Sequence, residues 1–226
     1  MTPADPLVRL ADAARAWGVP LDAAALGKIS GYLDLVAAKN ATTNLTAEAS
    51  REDLVLKHAA DGVFAASVLR ARLGPAPRIL DLGSGGGFIG IVLKLSWPEA
   101  EVTLMESVER KYRFLSAAAT ATGAKGLKVL QRRAGDGRPL TGYEKDFDCV
   151  IERALAPLPD ALRLAWPMLG AKGLFAAFQT VEPDPAEAAL AKALAATGGR
   201  VLQSCAYRRP GEEQERRLMI FARGED

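Results

Sequence analysis

Residues 78–95 read RILDLGSGGGFIGIVLKL. A short apolar run reaches an acid, Asp81, passes Gly83, Gly85, Gly86, Gly87 and Gly90, and enters a second apolar stretch at helical spacing. Glycine in such a turn lets the backbone take positive φ and lets a ligand approach with no Cβ in the way. The pattern predicts a β-strand, a ligand-binding turn and a helix. That is the opening unit of an open α/β sheet, whose ligands sit at the carboxyl ends of the strands.

The rest of the chain keeps the same rhythm. RILDL, AEVTLMES, LKVLQ, FDCVIER and GLFAAFQT read as strands, and IGIVLKLSW, ERKYRFLSAAATATG, PDALRLAWPMLG and AEAALAKALAATGG as helices. Alternation of this kind means βαβ units, a parallel sheet and helices on both faces. VLQSCAY and RRLMIFA follow with no helix between them, which predicts a terminal hairpin and one antiparallel edge strand. The expected architecture is therefore α/β: a mostly parallel seven-stranded sheet of Rossmann-like type. Residues 1–74 read as helix throughout. Leu7, Leu10, Ala14 and Trp17 form one stripe, Leu26, Ile29, Tyr32, Leu33 and Val36 a second, and Ser50 is placed to cap a third helix that runs to about Arg72. The expected division is an N-terminal helical extension, 1–74, and a Rossmann-like domain, 75–226.

Composition narrows the class. Two cysteines without CxxC or Cys/His spacing predict no disulfide scaffold and no metal site, and fit a reducing compartment. Cys149 lies in an apolar strand and reads as core, as does Cys205. The N-terminus lacks a basic segment followed by an apolar one, and no run of eighteen apolar residues occurs, so a soluble cytoplasmic protein is expected, with no membrane contact. The formal net charge of +2 requires any nucleic-acid surface to be local. Basic runs occur at Arg110-Lys111-Arg113, at Arg132-Arg133 with Arg138, at Arg208-Arg209 and at Arg216-Arg217.

The glycine loop itself separates ligand classes. A phosphate-binding P-loop ends in Gly-Lys-Ser/Thr, whereas this one ends in Phe88-Ile89-Gly90. The dinucleotide pattern GxGxxG fits poorly, because Phe88 stands at its last glycine. A carboxylate at Asp81 would repel pyrophosphate but suits a cationic ligand such as S-adenosylmethionine. The order Asp-x-Gly-x-Gly-x-Gly matches the first motif of Rossmann-like methyltransferases. Glu106 ends the second strand, where two carboxylate oxygens can accept both hydroxyls of a ribose.

More of the chain carries a closer likeness. DLGSGGGFIGIVLKLSWPEAEVTLMESVERKYRFL, with NATTNLTA and KHAADG upstream and ERALAPL downstream, resembles the RsmG/GidB family of bacterial small-subunit (16S) ribosomal RNA guanine-N7 methyltransferases, over roughly residues 30–222. The resemblance implies S-adenosylmethionine as cofactor and 16S ribosomal RNA or the small ribosomal subunit as partner of a monomeric enzyme. Cofactor contacts fall on Gly83, Gly85, Gly87 and Phe88 of the loop, on Asp81 and Glu106, and on Ala134-Gly135. Arg153 falls beside the methionine end of the cofactor and the target base, as the catalytic residue. His58, with Asp61, Asn44 and Thr46, and the pair Arg216 and Arg217 fall on the substrate side.

The chain also departs from the family pattern. Phe-Pro-Gly-x-Pro becomes Phe88-Ile89-Gly90-Ile91-Val92, and a Lys-Gly after the fifth strand becomes Phe178-Gln179. Two alternatives therefore stand beside RNA methylation: a methyltransferase of the same fold with another substrate, and a cofactor-binding protein without catalysis. The implied chemistry asks for little. Guanine N7 carries a lone pair and no proton, so alignment and exclusion of water suffice, and no general base is needed. The chain accordingly has one histidine, no Asn/Asp-Pro-Pro-Tyr/Phe loop and no Pro-Cys nucleophile.

Overall fold

A computed structural model describes residues 5–48, 50–137 and 145–224. Three helical segments come first. α1 (Pro6–Ala16) starts at Asp5, whose side chain accepts the Leu7 N–H, and α2 (Ala23–Thr43) starts at Asp22, which accepts that of Ala25. α2 ends at Asn44 in the left-handed region (φ 52°), a conformation in which asparagine is tolerated. Ser50 caps α3 (Arg51–Asp53), as its position predicts. α3 runs without a break through one π-helical stretch, Leu54–Ala59, into α4 (Ala60–Arg70).

The sheet comprises β1 (Arg78–Leu82), β2 (Glu101–Glu106), β3 (Leu127–Gln131), β4 (Phe147–Glu152), β5 (Leu169–Gln179), β6 (Gly199–Arg208) and β7 (Glu215–Arg223), in the order β3-β2-β1-β4-β5-β7-β6. Crossovers run through α5 (Gly90–Ser96), α6 (Glu109–Thr122), α7 (Leu158–Ala165) and α8 (Ala188–Thr197). β3, β2, β1, β4 and β5 pair in parallel, and the antiparallel pairing falls at one edge, as expected. The reversed strand is β7, held between β5 and β6, so the terminal hairpin folds back into the sheet rather than adding to its rim. The chain winds outward from β1 in one direction and then from β4 in the other. That reversal opens a crevice between the carboxyl ends of β1 and β4.

Two other details differ from the sequence reading. The helix expected to reach Gly170 stops at Ala165, and a 3₁₀ turn, Trp166–Met168, leads directly into β5. Pro167 cannot donate the helical hydrogen bond, so continuation past it is disfavoured. Cys149 is fully buried, but Cys205 is only partly buried, packed against the core beside Arg72.

Alternation along the strands sends apolar side chains to two cores. Ile79, Val102 and Ile151 face one, where they meet α5, α6 and residues Leu10, Ile29, Leu33 and Val63 of the N-terminal helices. Leu80, Val150 and Phe175 face the other, under Leu162 of α7 and Leu190 of α8. The N-terminal helices thus complete one of the two layers over the sheet. Gly62 shows how close that layer lies. A Cβ there would stand 2.7 Å from Cβ of Val92 and 2.8 Å from the Phe88 carbonyl oxygen. α4 therefore rests directly on the start of α5, which carries His58 and Asp61 to the rim of the glycine loop.

Candidate active site

The loop after β1 is tied to the strand beside it. The N–H groups of Gly83 and Ser84 both donate to the Met105 carbonyl, at 2.9 and 3.0 Å. Gly83 takes φ +73°, and Leu155 Cδ1 occupies the space of the missing Cβ, 2.5 Å from where that atom would be. Only glycine meets both demands. Glu106, at the end of β2, accepts the Gly85 N–H (2.9 Å) on one oxygen and the Val108 N–H (2.7 Å) on the other. Each oxygen keeps a further lone pair, so the carboxylate is oriented yet still able to accept two hydroxyls.

Asp81 is 2% exposed and accepts the Gly90 N–H at 2.9 Å. Burial raises its pKa to about 6, against the pull of the Gly90 hydrogen bond and of Arg153. A buried carboxylate with so little compensation favours a cation placed beside it. Glu152, at the end of β4, is likewise buried, with its pKa raised to about 7. One of its oxygens accepts the Leu155 N–H at 3.0 Å and holds the turn in which Ala154 adopts φ +59°. That turn presents Leu155 to Gly83 and aims Arg153 the other way.

Arg153 enters a buried polar hub centred on Asp61, which is 1% exposed. One Asp61 oxygen accepts from Arg153 Nη1 (2.7 Å) and Arg209 Nη2 (2.7 Å). The other accepts from Arg209 Nε (2.8 Å) and the Tyr207 hydroxyl (2.6 Å). Four donors hold the Asp61 carboxyl below its usual range despite burial, which acts the other way. Arg153 Nη2 also lies 2.9 Å from His58 Nδ1. A guanidinium only donates, so Nδ1 accepts and the His58 proton resides on Nε2, 2.9 Å from Thr46 Oγ1. Burial, reinforced by Arg153, lowers the His58 pKa to about 4. His58 is therefore neutral and fixed in one tautomer. Its ring stacks on Phe88, with centroids 4.2 Å apart, and the Arg153 guanidinium lies 5.7 Å from the same ring.

These parts surround a cavity of about 600 Å³ that takes in Asp81, the loop from Gly83 to Gly86, Phe88, His58, Asp61, Arg153, Gln179 and Arg216. Gly83 also borders a second cleft of about 340 Å³, lined by Leu82, Met105, Ala134, Leu155 and Leu164 together with Ser107, Arg132 and Arg133. Ala134 thus lies in the wall of this cleft. Gly135 takes φ +73° beside it, with Leu164 against its Cα side. Gly87 takes φ +84° in the loop before α5.

The substrate-side expectations divide. Thr46 stands behind His58, and Arg216 lines the cavity while its Nε donates to Glu212 at 3.1 Å. Asn44 is an exposed helix cap that does not line the cavity. Arg217 points to the other face of β7, paired with Glu182 (2.9 Å) and Glu215 (2.8 Å). Arg209, expected in a basic surface run, is 8% exposed and committed to Asp61. Its neighbour Arg208 remains exposed. Arg138 lies outside the described residues. Tyr207 was not anticipated. The signal was present, since residues two apart on a strand share a face, and Tyr207 and Arg209 flank Arg208. Nothing in the sequence said that the face was turned inward.

Strand order and crevice together define a Rossmann-like fold. Solved structures with this fold include precorrin-6y C5,15-methyltransferase from Geobacter metallireducens GS-15 (TM-score 0.54, 13% identity, 72% of this chain and 88% of that one). TrmN from Thermus thermophilus matches with TM-score 0.53 at 22% identity, over 76% of this chain and 52% of that one. Residues 25–215 match the model of the GidB family, rRNA small subunit methyltransferase G, and the chain belongs to that family. The ribosomal RNA small subunit methyltransferase G of Myxococcus xanthus (strain DK1622) is 35% identical over 95% of this chain and 96% of its own length. That of Burkholderia thailandensis is 34% identical over 93% and 88%. Among the described residues, no helix is long and apolar enough to cross a membrane.

Proposed function

We propose that the chain transfers a methyl group from S-adenosylmethionine to N7 of a guanine in small-subunit (16S) ribosomal RNA. The observation that carries the reading is the meeting, in one cavity at the β1/β4 crevice, of the glycine loop with the fixed Arg153–His58–Phe88 group. Bound there, the cofactor supplies an electrophilic methyl on a cationic sulfur. The residues present suit it. Glu106 keeps lone pairs for ribose hydroxyls, the apolar wall of Leu82, Met105, Leu155 and Leu164 beside Ala134 suits a flat aromatic ring, and Asp81 offers a buried negative charge.

The site's own groups also match the target. N7 needs no base. His58 has both ring nitrogens engaged, and Asp61 is saturated by donors. What the hub supplies instead is alignment: Arg153 is held by two partners and cannot swing. Lys111 and Arg216 at the cavity add positive charge for phosphates of the RNA. The reading is tested by mass spectrometry of ribosomal RNA nucleosides from cells with and without the gene. A 7-methylguanosine should vanish on deletion and return with the wild-type gene but not with Arg153→Ala. An unchanged profile would sink the RNA target and leave the fold standing.

A further inference from the structure

This inference deepens the proposed function and rests on it. A guanine whose N7 faces the methyl donor has committed the edge that carries N7 and O6. Its N1–H and its N2 amine lie on another edge, and both are donors. A site that distinguishes guanine from other purines therefore needs an acceptor, best a carboxylate, on a different wall.

Three carboxylates line the cavity among the described residues: Glu48, Asp61 and Asp81. Asp61 already accepts four hydrogen bonds and is 1% exposed. Asp81 is 2% exposed at the bottom of the loop. Glu48 differs. Its side chain is 46% exposed, and one oxygen is steadied by Lys57 Nζ at 2.9 Å. The other oxygen lies 3.6 Å from His58 Nε2, too far for a hydrogen bond. The backbone of Glu48 is anchored as well. Its N–H donates to Thr46 Oγ1 (3.1 Å), and the Thr46 hydroxyl donates to its carbonyl (3.3 Å). The same Thr46 fixes His58. The hydrogen bond from Lys57 holds the Glu48 carboxyl below its usual range, so it is ionised at neutral pH. Glu48 is thus a pre-oriented anion at the cavity wall, with one oxygen open and a further lone pair on the oxygen that Lys57 steadies.

We propose that Glu48 determines base specificity by accepting the N1–H and N2 amine of the target guanine. An adenine presents a lone pair at N1 and would face Glu48 with repulsion instead of a bond. A good bidentate pairing discriminates by roughly 10- to 100-fold.

The test compares 16S RNA carrying guanosine at the methylated position with splint-ligated RNA carrying inosine there, which lacks only the N2 amine. Wild type should lose about 10-fold in kcat/KM on inosine, at the lower end of that range. Glu48→Ala should fall about 10- to 100-fold on guanosine and treat the two RNAs alike. Glu48→Gln keeps the shape and an acceptor for Lys57, and should also narrow the preference. Calorimetric binding of S-adenosylmethionine should be unchanged in both variants, which separates loss of base recognition from loss of fold. A Glu48→Ala enzyme that keeps the wild-type preference for guanosine overturns the proposal. So does a wild type indifferent to inosine. Absence of transfer by wild type to guanosine RNA would instead overturn the proposed function beneath it.

Discussion

The cavity around Arg153 and the narrower cleft around Ala134 share Gly83 as a common wall, yet they are built from different material. The cleft has apolar walls with Ser107, Arg132 and Arg133 among them, and its residues come from the ends of β1 and β2, the turns after β1, β2, β3 and β4, and α7. The winding of the sheet delivers those turns to one place, where local hydrogen bonds such as that from the Leu155 N–H to Glu152 hold them. The cavity is more polar, and besides the glycine loop it draws side chains from the segment after α2, the π-helical stretch, α4, α6, and the ends of β4, β5, β6 and β7. There the geometry depends on a charge network, with Asp61 joining α4, β4 and the residues closing β6. A site of the first kind tolerates small changes of shape. A site of the second kind fails as a unit, because each removed partner strands a buried charge.

The sharpest way to break this contrast is Asp61→Asn. It leaves Arg153 and Arg209 without their shared counter-ion. The expected cost is about 3–5 kcal/mol of folding stability, seen as a large fall in Tm, together with loss of methyl transfer. A variant of near-normal Tm would mean that the hub is not the single unit described here.

A pH titration of stability probes the same network. The His58 pKa is about 4 in the folded chain against 6.5 for a free side chain, so the unfolded state binds more protons between those values. Stability from this group is therefore present at neutral pH and lost as pH falls from about 6.5 to about 4. Asp81 and Glu152, raised by burial, push the opposite way, so the readout is the difference between wild type and His58→Gln in chemical denaturation. The wild type should lose roughly 1–3 kcal/mol more than the variant across that window.

Gly83→Ala tests the wall between the halves. The left-handed backbone costs a residue with a Cβ about 1–2 kcal/mol. The new methyl would also displace Leu155. Calorimetry should show S-adenosylmethionine binding weakened at least roughly 10-fold, equivalent to about 1.4 kcal/mol. The smallest effect belongs to Arg217→Ala, outside both halves. Its ion pairs are with exposed carboxylates, so stability should change by less than about 1 kcal/mol, and methyl transfer should stay near wild type.

Much of the glycine-loop side of the site was legible in the chain. RILDLGSGGG announced a strand and a ligand turn, Glu106 announced the end of the next strand, and the βαβ rhythm placed both at the carboxyl edge. These are local signals, since a turn's chemistry depends on the residues within it. His58 and Asp61 were legible only through family resemblance, which put them at the site with Arg153 without saying what joins them. Arg209 looked like a surface cation because the pattern of charges along a strand does not reveal which face is covered. The π-helical stretch gave no signal either, although it sets the angular relation between His58 and Asp61.

The sequence by itself determined the order of strands and helices, the glycine turn and the charge of the loop, because periodicity and backbone conformation are settled within a few residues. Only the tertiary structure decided that Asp61 would gather two arginines and a tyrosine, that His58 would be neutral, and that Glu48 would keep an oxygen free. Those outcomes depend on which polar groups lose water together. Asp61 and Arg209 stand 148 positions apart, and only packing brings them to one point.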